Sequence, residues 1–227
     1  MAKKIPANGV TAEKVQNDAV FERTRENMAE FTRSGKASVS IRELFRELTI
    51  YAKSNDAHTR LVKLLSKVIS TDPISKRGER TVTNGDLLLL KGFNFNRRVP
   101  LREIVYPRYT VAIDRAAGQA TIAMPEFVPK VLIGCPKATT HFKLVLALAT
   151  LNFETDASTY VKVSTNEIGW DQVLRPAENM VLNFPANTPD NIIVVMSVEF
   201  YQNINGVSYD LKTGQSNAAA IVAVSKP

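Results

Sequence analysis

The stretch IIVVMSVEFYQNINGVSYDL, residues 192–211, carries the clearest structural signal in the chain. Its apolar run, Ile192–Tyr201, has the length and the β-branched content of a strand. Asn205-Gly206 then favours a type I′ turn, because both central residues of that turn need positive φ angles. The stretch therefore predicts an antiparallel hairpin that joins Ile192–Ile204 to Val207–Leu211.

Similar apolar runs, separated by turn signals, recur throughout residues 81–227, which also hold nine of the eleven prolines. Regularly spaced Pro, Gly and Asn favour short strands joined by turns, and Asp114-Arg115-Ala116-Ala117-Gly118 is typical of a tight connection. The pattern predicts an antiparallel β-sandwich of immunoglobulin-like or jelly-roll size. Further strands are predicted at Leu87–Phe95, Ile104–Ile113, Ala120–Met124, His141–Leu151, Thr159–Val163, Met180–Phe184 and Ala218–Val224.

The sequence before residue 81 predicts helices. Ser40-Ile41-Arg42-Glu43 fits a capping box, and apolar residues at helical spacing follow it as far as Ser54-Asn55. Asp56 can cap a second helix, which Thr71-Asp72-Pro73 would end. The two amphipathic segments predict a helical hairpin.

These elements predict an α+β chain that is mainly β, in three parts. Residues 1–38 form an N-terminal arm, residues 39–80 a basic helical hairpin, and residues 81–227 the sandwich. Ser34-Gly35-Lys36 indicates a break within the arm. The arm is more apolar than a disordered tail, which fits either a segment docked on a neighbouring subunit or a frayed terminus. Its candidate subunit contacts are Val15, Phe21, Met28 and Phe31.

The positive charge is concentrated in the N-terminal third. The whole chain has a formal charge of +7, and residues 1–80 carry 16 Lys+Arg against 10 Asp+Glu. The predicted sandwich is therefore close to neutral. Any acidic partner is expected to contact the helical part first.

The exposed faces of the two predicted helices carry six of these cations, which are Arg42, Arg46, Lys53, Arg60, Lys63 and Lys67. Such a surface can follow phosphates without reading sequence, or it can be an ordinary solvated helix face. Arg97-Arg98 is a further short basic cluster at a loop position, with the same two interpretations. The candidate contacts to nucleic acid or an acidic partner are Arg42, Arg46, Arg60, Lys63 and Lys67.

No catalytic motif is recognisable, and we predict a protein that is not an enzyme and uses no cofactor, metal or evident small-molecule substrate. Cys135 and His141 could form a nucleophile and base, but a small apolar residue and a strand histidine explain them as well. Glu154 and Asp156 are typical of a polar turn. Trp170 is interpreted as a core or loop anchor; alternatively, either Trp170 or the pair Tyr106 and Tyr109 could form a stacking surface for a glycan.

The beginning of the sequence, Met1-Ala2-Lys3-Lys4, predicts no signal peptide. The longest apolar stretch, Leu144–Leu151, is much shorter than the ~20 residues that span a bilayer. We therefore expect a cytoplasmic protein or a component of an assembled particle, without a membrane span.

Several short sequence motifs resemble segments that occur in the same order in uncharacterised hypothetical proteins, which are common in Bacteroidetes genomes. The resemblance implies a shared fold and says nothing about mechanism. The motifs that show the resemblance are Arg23–Phe31, Gly35-Lys36-Ala37, Gly85-Asp86-Leu87, Lys91–Phe95, Thr140–Lys143 and Val198–Gln202.

Three hypotheses about function follow. The first is a structural, self-assembling homo-oligomer, of a virion or of a cell, whose arm and helices make the subunit contacts. The second is a nucleic-acid-associated protein that uses the basic helical face. The third is a ligand-binding or glycan-binding sandwich.

Overall fold

A computed structural model describes residues 11–212 and 217–227. Its centre is a pair of long antiparallel strands, β3 (His141–Leu151) and β7 (Asn191–Ile204). They pair along the whole of β3, with Leu151 opposite Asn191 and His141 opposite Tyr201. These are the apolar and β-branched runs that the sequence marks as strands, and their pairing forms the middle of the main sheet.

Shorter strands complete this main sheet on both sides of the central pair. On the β3 side lie β4 (Ser158–Ser164) and the two-residue β5 (Ile168–Gly169). On the β7 side lie β8 (Val207–Asp210) and β9 (Ala219–Ser225), which pair with different parts of β7. Because β7 is long enough for two partners, the sheet contains six strands while remaining narrow.

A second, three-stranded sheet packs against one face of the main sheet. It consists of β1 (Thr110–Asp114), β2 (Gln119–Met124) and β6 (Glu178–Asn183), all antiparallel in the order β1-β2-β6. Ile122 and Leu182 from this sheet share one hydrophobic cluster with Leu146 of β3. The predicted α+β class with an antiparallel β-sandwich is confirmed.

The helices form a third layer on the opposite face of the main sheet. They are α1 (Ala12–Asn17), α2 (Glu22–Leu44), α3 (Arg46–Thr49) and α4 (Ala57–Ser70), while the short α5 (Pro129–Leu132) lies between β2 and β3. The side chains that pack this layer onto the sheet belong to a single buried cluster. From the helices it contains Ile41, Phe45, Leu61, Leu65 and Val68, and from the sheet Ala147, Ala149, Val195 and Ile221.

The strands β3, β7 and β9 of the main sheet are thus buried on both faces over most of their length, whereas β8 is exposed. Side chains alternate along β3, so that Val145 and Ala147 face the helices while Leu144 and Leu146 face the second sheet. A strand with two buried faces needs apolar residues at every position. This explains why β3 and β7 are uninterrupted apolar runs rather than alternating ones.

The capping box predicted at Ser40 is wrong. α2 is a single helix of 23 residues that begins at Glu22 and passes through Ser40 without interruption. The Ser40 hydroxyl lies within hydrogen-bond distance of Asp156 Oδ1, at 2.8 Å, and does not cap a helix. The helix ends at Leu44 rather than near Ser54-Asn55, and α3 follows after the buried Phe45.

The break predicted at Ser34-Gly35-Lys36 is also wrong, since these residues lie inside α2. The Ser34 hydroxyl is buried and donates to the Phe31 carbonyl, in contact with Ser66 of α4. Polar and small residues therefore occur here because two helices approach each other closely. The predicted second helix is confirmed as α4 (Ala57–Ser70), but Asp56 at its N-terminal end makes no capping hydrogen bond with its side chain.

Most of the predicted strands are confirmed, with two corrections. Leu87–Leu90 forms a 3-10 turn rather than a strand, because Asp86 caps it and Leu87 and Leu90 are buried among the helices. Residues 92–95 run beside β9, where the Phe95 amide donates to the Ala219 carbonyl. The strand predicted over Ile104–Ile113 is confirmed only from Thr110 onward.

The two predicted turns are confirmed. Asn205 and Gly206 have φ angles of 52° and 83°, as a type I′ turn requires. The connection between β1 and β2 ends at Gly118, whose φ is 66°. An ideal Cβ on Gly118 would lie 2.4 Å from the Phe184 carbonyl oxygen, so that glycine is needed there both for its φ and for space.

Candidate functional site

One face of α2 carries large apolar side chains that nothing in the described structure covers. Met28 is 58% exposed, Phe31 64% and Val39 41%, and an added Cβ on Gly35 would meet open space. Their spacing of three or four residues places all four on one side of a helix. We call Met28, Phe31, Gly35 and Val39 the α2 apolar face.

Polar contacts hold the N-terminal half of α2 from another side. Arg33 donates to the Gly78 carbonyl oxygen at 2.6 Å, and the Gly78 amide donates to Glu30 at 2.8 Å. Arg77 lies 3.5 Å from Glu26 and also donates to Asn27. The α2 apolar face is therefore presented by a fixed helix, although the buried residues of α2 begin at Ser34.

The structure gives the four predicted subunit contacts different environments. Met28 and Phe31 lie together on the α2 apolar face. Val15 in α1 and Phe21 just before α2 are half-buried. Arg25 joins these two segments, because its guanidinium donates to the carbonyl oxygens of Val15 and Asp18 at 2.7 and 2.8 Å.

The five residues predicted to contact nucleic acid or an acidic partner also lie in different environments. Arg60 is engaged inside the protein: it donates to the Asn94 and Phe95 carbonyl oxygens at 2.8 and 3.0 Å and lies 5.0 Å from the centre of the Phe93 ring. It thereby attaches α4 to residues 92–95. Lys63 and Lys67 are exposed on the outer side of α4.

Arg42 and Arg46 lie at the junction of α2, α3 and α4. They line a depression of about 350 Å³ together with Lys53. Lys53 also lines a neighbouring depression of about 680 Å³ with Arg97 and Arg98. We call Arg42, Arg46, Lys53, Arg97 and Arg98 the basic corner. Sequence spacing could not join residues 97 and 98 to the helices, because the fold alone brings them to Lys53.

A third surface is a groove of about 610 Å³ between α3 and the β8 end of the main sheet. Three of its four carboxylates have partners: Tyr201 donates to Glu199 at 2.6 Å, Lys212 pairs with Asp210, and Lys162 pairs with Glu47. Burial, with the neighbouring Glu47 carboxylate, raises the pKa of Tyr160 to about 12. Tyr160 is therefore protonated at neutral pH, and most of the groove's carboxylates are already neutralised by partners within the protein.

Cys135 does not have the properties of an activated nucleophile. Burial raises the pKa of its thiol to about 12, so that the unreactive thiol form dominates at neutral pH. The Nδ1 atom of His141 lies 3.0 Å from the Thr140 hydroxyl. Within residues 11–212 and 217–227, no cluster of three or more His, Cys, Asp or Glu side chains could hold a metal ion.

The aromatic residues considered for glycan stacking lie in three different environments. The Trp170 indole donates to the Ile133 carbonyl oxygen at 3.1 Å and packs against the core between the sheets, which makes it a loop anchor. Tyr109 is half-buried against the same core, and burial raises its pKa. Tyr106 is 54% exposed.

No protein-family model matches the chain, and neither the curated proteins nor the solved structures include a significant match. Among the described residues, no helix is long and apolar enough to cross a membrane. The resemblance to Bacteroidetes hypothetical proteins therefore stays a prediction. The geometry of the surfaces carries the functional argument.

Proposed function

We propose that this protein is a non-enzymatic structural protein that self-assembles through its N-terminal helices. The observation that carries the proposal is the α2 apolar face, where Met28 and Phe31 are 58% and 64% exposed on a helix held in place by polar contacts. Clustered large apolar side chains on a fixed surface are typical of protein–protein contacts. The proposal covers a cellular assembly and a virion component alike.

The spacing of the α2 apolar face fits a second copy of the same chain. Phe31 and Val39 lie four residues on either side of Gly35. In an antiparallel helix pair centred on Gly35, Phe31 of each copy would contact Val39 of the other. The open space over Gly35 allows the two backbones to come close. Such a self-complementary patch is what a two-fold symmetric interface requires.

A double variant tests this proposal. Met28→Ser with Phe31→Ser removes the two largest apolar side chains of the face, and we expect self-association to weaken by at least about 100-fold. Sedimentation velocity over a dilution series measures the change. The matched control is Val173→Ser with Leu174→Ser, which alters two side chains of similar exposure, 58% and 56%, in a loop far along the chain.

Circular dichroism checks that both double variants keep the fold. The control pair should associate like the wild-type protein. Equal association of the wild type and the Met28→Ser/Phe31→Ser variant would contradict the proposed interface, even if the protein is oligomeric.

A further inference from the structure

The basic corner combines cations from three segments that are separate in sequence. Arg42 and Arg46 come from α2 and α3, Lys53 from the link between α3 and α4, and Arg97 and Arg98 from the loop after residues 92–95. Two adjoining depressions share Lys53 as a lining residue. The cations therefore form one continuous concave track rather than scattered charges.

Most of these cations are available to an external anion. Within residues 11–212 and 217–227, the side-chain nitrogens of Arg46, Lys53 and Arg98 make no ion pair or hydrogen bond, and Arg98 contacts Asn96 through its backbone amide alone. Arg42 lies 3.1 Å from His58 Nδ1, and Arg97 lies 3.6 Å from Asp56.

Two carboxylates among the lining residues oppose the five cations. Asp56 accepts a hydrogen bond from Ser54 and lies 3.2 Å from Arg60, so that part of its charge is neutralised within the protein. Glu43 lies between the first depression and the groove beside α3. Positive charge is therefore in excess along the track, which favours a ligand with several negative charges.

The first turn of α4 adds to the positive electrostatic potential of the track. The 14-residue helix begins at Ala57, which lines the first depression, and Asp56 directs no side-chain hydrogen bond to the helix amides. The N-terminal end of a helix carries a partial positive charge. This contribution supports the charged side chains and would not form a site without them.

We propose that the basic corner binds the phosphate backbone of single-stranded nucleic acid. A positively charged groove that follows the backbone is the common device of proteins that bind single strands without reading sequence. The aromatic ring among the lining residues, Phe95, is buried, so that contacts to phosphates rather than stacking on bases are expected. Val39 and Ile50, which are 41% and 40% exposed, also line the first depression, so membrane binding is the alternative that the vesicle measurement distinguishes.

The proposal is tested with a fluorescently labelled oligothymidine of about 20 nucleotides, by anisotropy in a salt titration. Lys53→Gln with Arg98→Gln removes two cations that make no internal ion pair, so the fold should persist. We expect affinity to fall at least about five-fold and the salt slope to decrease by about 1.4, which is the loss of two phosphate contacts on a single strand. Lys63→Gln with Lys67→Gln is the matched control and should change affinity less than about two-fold.

Three outcomes would overturn the assignment. The first is no binding of wild-type protein to the oligonucleotide at low salt. The second is an equal loss in both double variants, which would indicate diffuse attraction by total charge. The third is binding to vesicles that contain phosphatidylserine with none to the oligonucleotide. Met28 and Phe31 line neither depression, so the two tests alter different side chains, although Val39 of the α2 apolar face also lines the first depression.

Discussion

The carboxylate of Asp72 organises the loop that holds α2. It is 5% exposed and accepts amide hydrogen bonds from Ile74 at 2.8 Å, and from Ser75 and Thr81 at 3.0 Å each. Burial by itself would raise the pKa of Asp72, but the backbone amides outweigh it and leave the pKa well below its ordinary value. The same loop carries Gly78, which contacts both Arg33 and Glu30.

Asp72→Asn should lower the free energy of unfolding by about 1–3 kcal/mol at pH 7, because an amide group would face the Thr81 N–H in place of a carboxylate oxygen. The pKa of Asp72 is lower in the folded state, so this stabilisation is present at neutral pH. It is lost as the pH falls below about 4, where the unfolded state takes up the proton first. Urea unfolding of both proteins at pH 7 and about pH 3 measures this. A difference that does not change with pH would contradict the assignment.

Gly118→Ala should destabilise the sandwich by about 2–4 kcal/mol, because its Cβ would collide with the Phe184 carbonyl oxygen as well as strain the backbone. Gly92→Ala is the matched control: its φ is 89°, but nothing lies within 4 Å of an added Cβ. It should therefore show the backbone strain alone, about 1–2 kcal/mol. Thermal unfolding compares the two, and equal losses would show that the contact with Phe184 is unimportant.

At the scale of elements, the N-terminal half of α2 depends on its polar contacts. Arg33→Ala removes the donation to Gly78 and a weaker one to the Arg80 carbonyl oxygen at 3.3 Å. We expect amides of residues 22–33 to exchange hydrogen at least about ten-fold faster, while the β3 and β7 amides keep their protection. Arg23→Ala is the control, since Arg23 is 68% exposed and pairs only with Glu26 of the same helix among the described residues. Unchanged exchange in Arg33→Ala would contradict the role of the loop.

The elements also show where sequence reasoning succeeds and where it fails. The hairpin turn at Asn205-Gly206 and the C-terminal end of α4 were predictable, because local residues determine them. The beginning of α2 was not, since its first half buries no residue before Ser34 and therefore lacks an apolar stripe. Leu87–Leu90 reads as a strand because a buried 3-10 turn and a buried strand need the same apolar residues.

On the scale of the whole molecule, the position of the main sheet between two layers explains the uninterrupted apolar runs of β3 and β7. The class of fold was predictable from those runs and from the turns between them. The layer order was not, because it depends on which face of β3 meets the helices. The candidate surfaces were predictable in part. Met28, Phe31, Arg42, Arg46 and Lys53 were identified from the sequence, whereas the fold was needed to add Val39 to the first surface and Arg97 and Arg98 to the second.

Self-assembly through α2 is the central claim, and the native mass of the wild-type protein tests it most directly. Sedimentation equilibrium over a dilution series should give a multiple of the 25.1 kDa chain mass at high concentration, with dissociation on dilution. A mass of one chain at every concentration would contradict the claim.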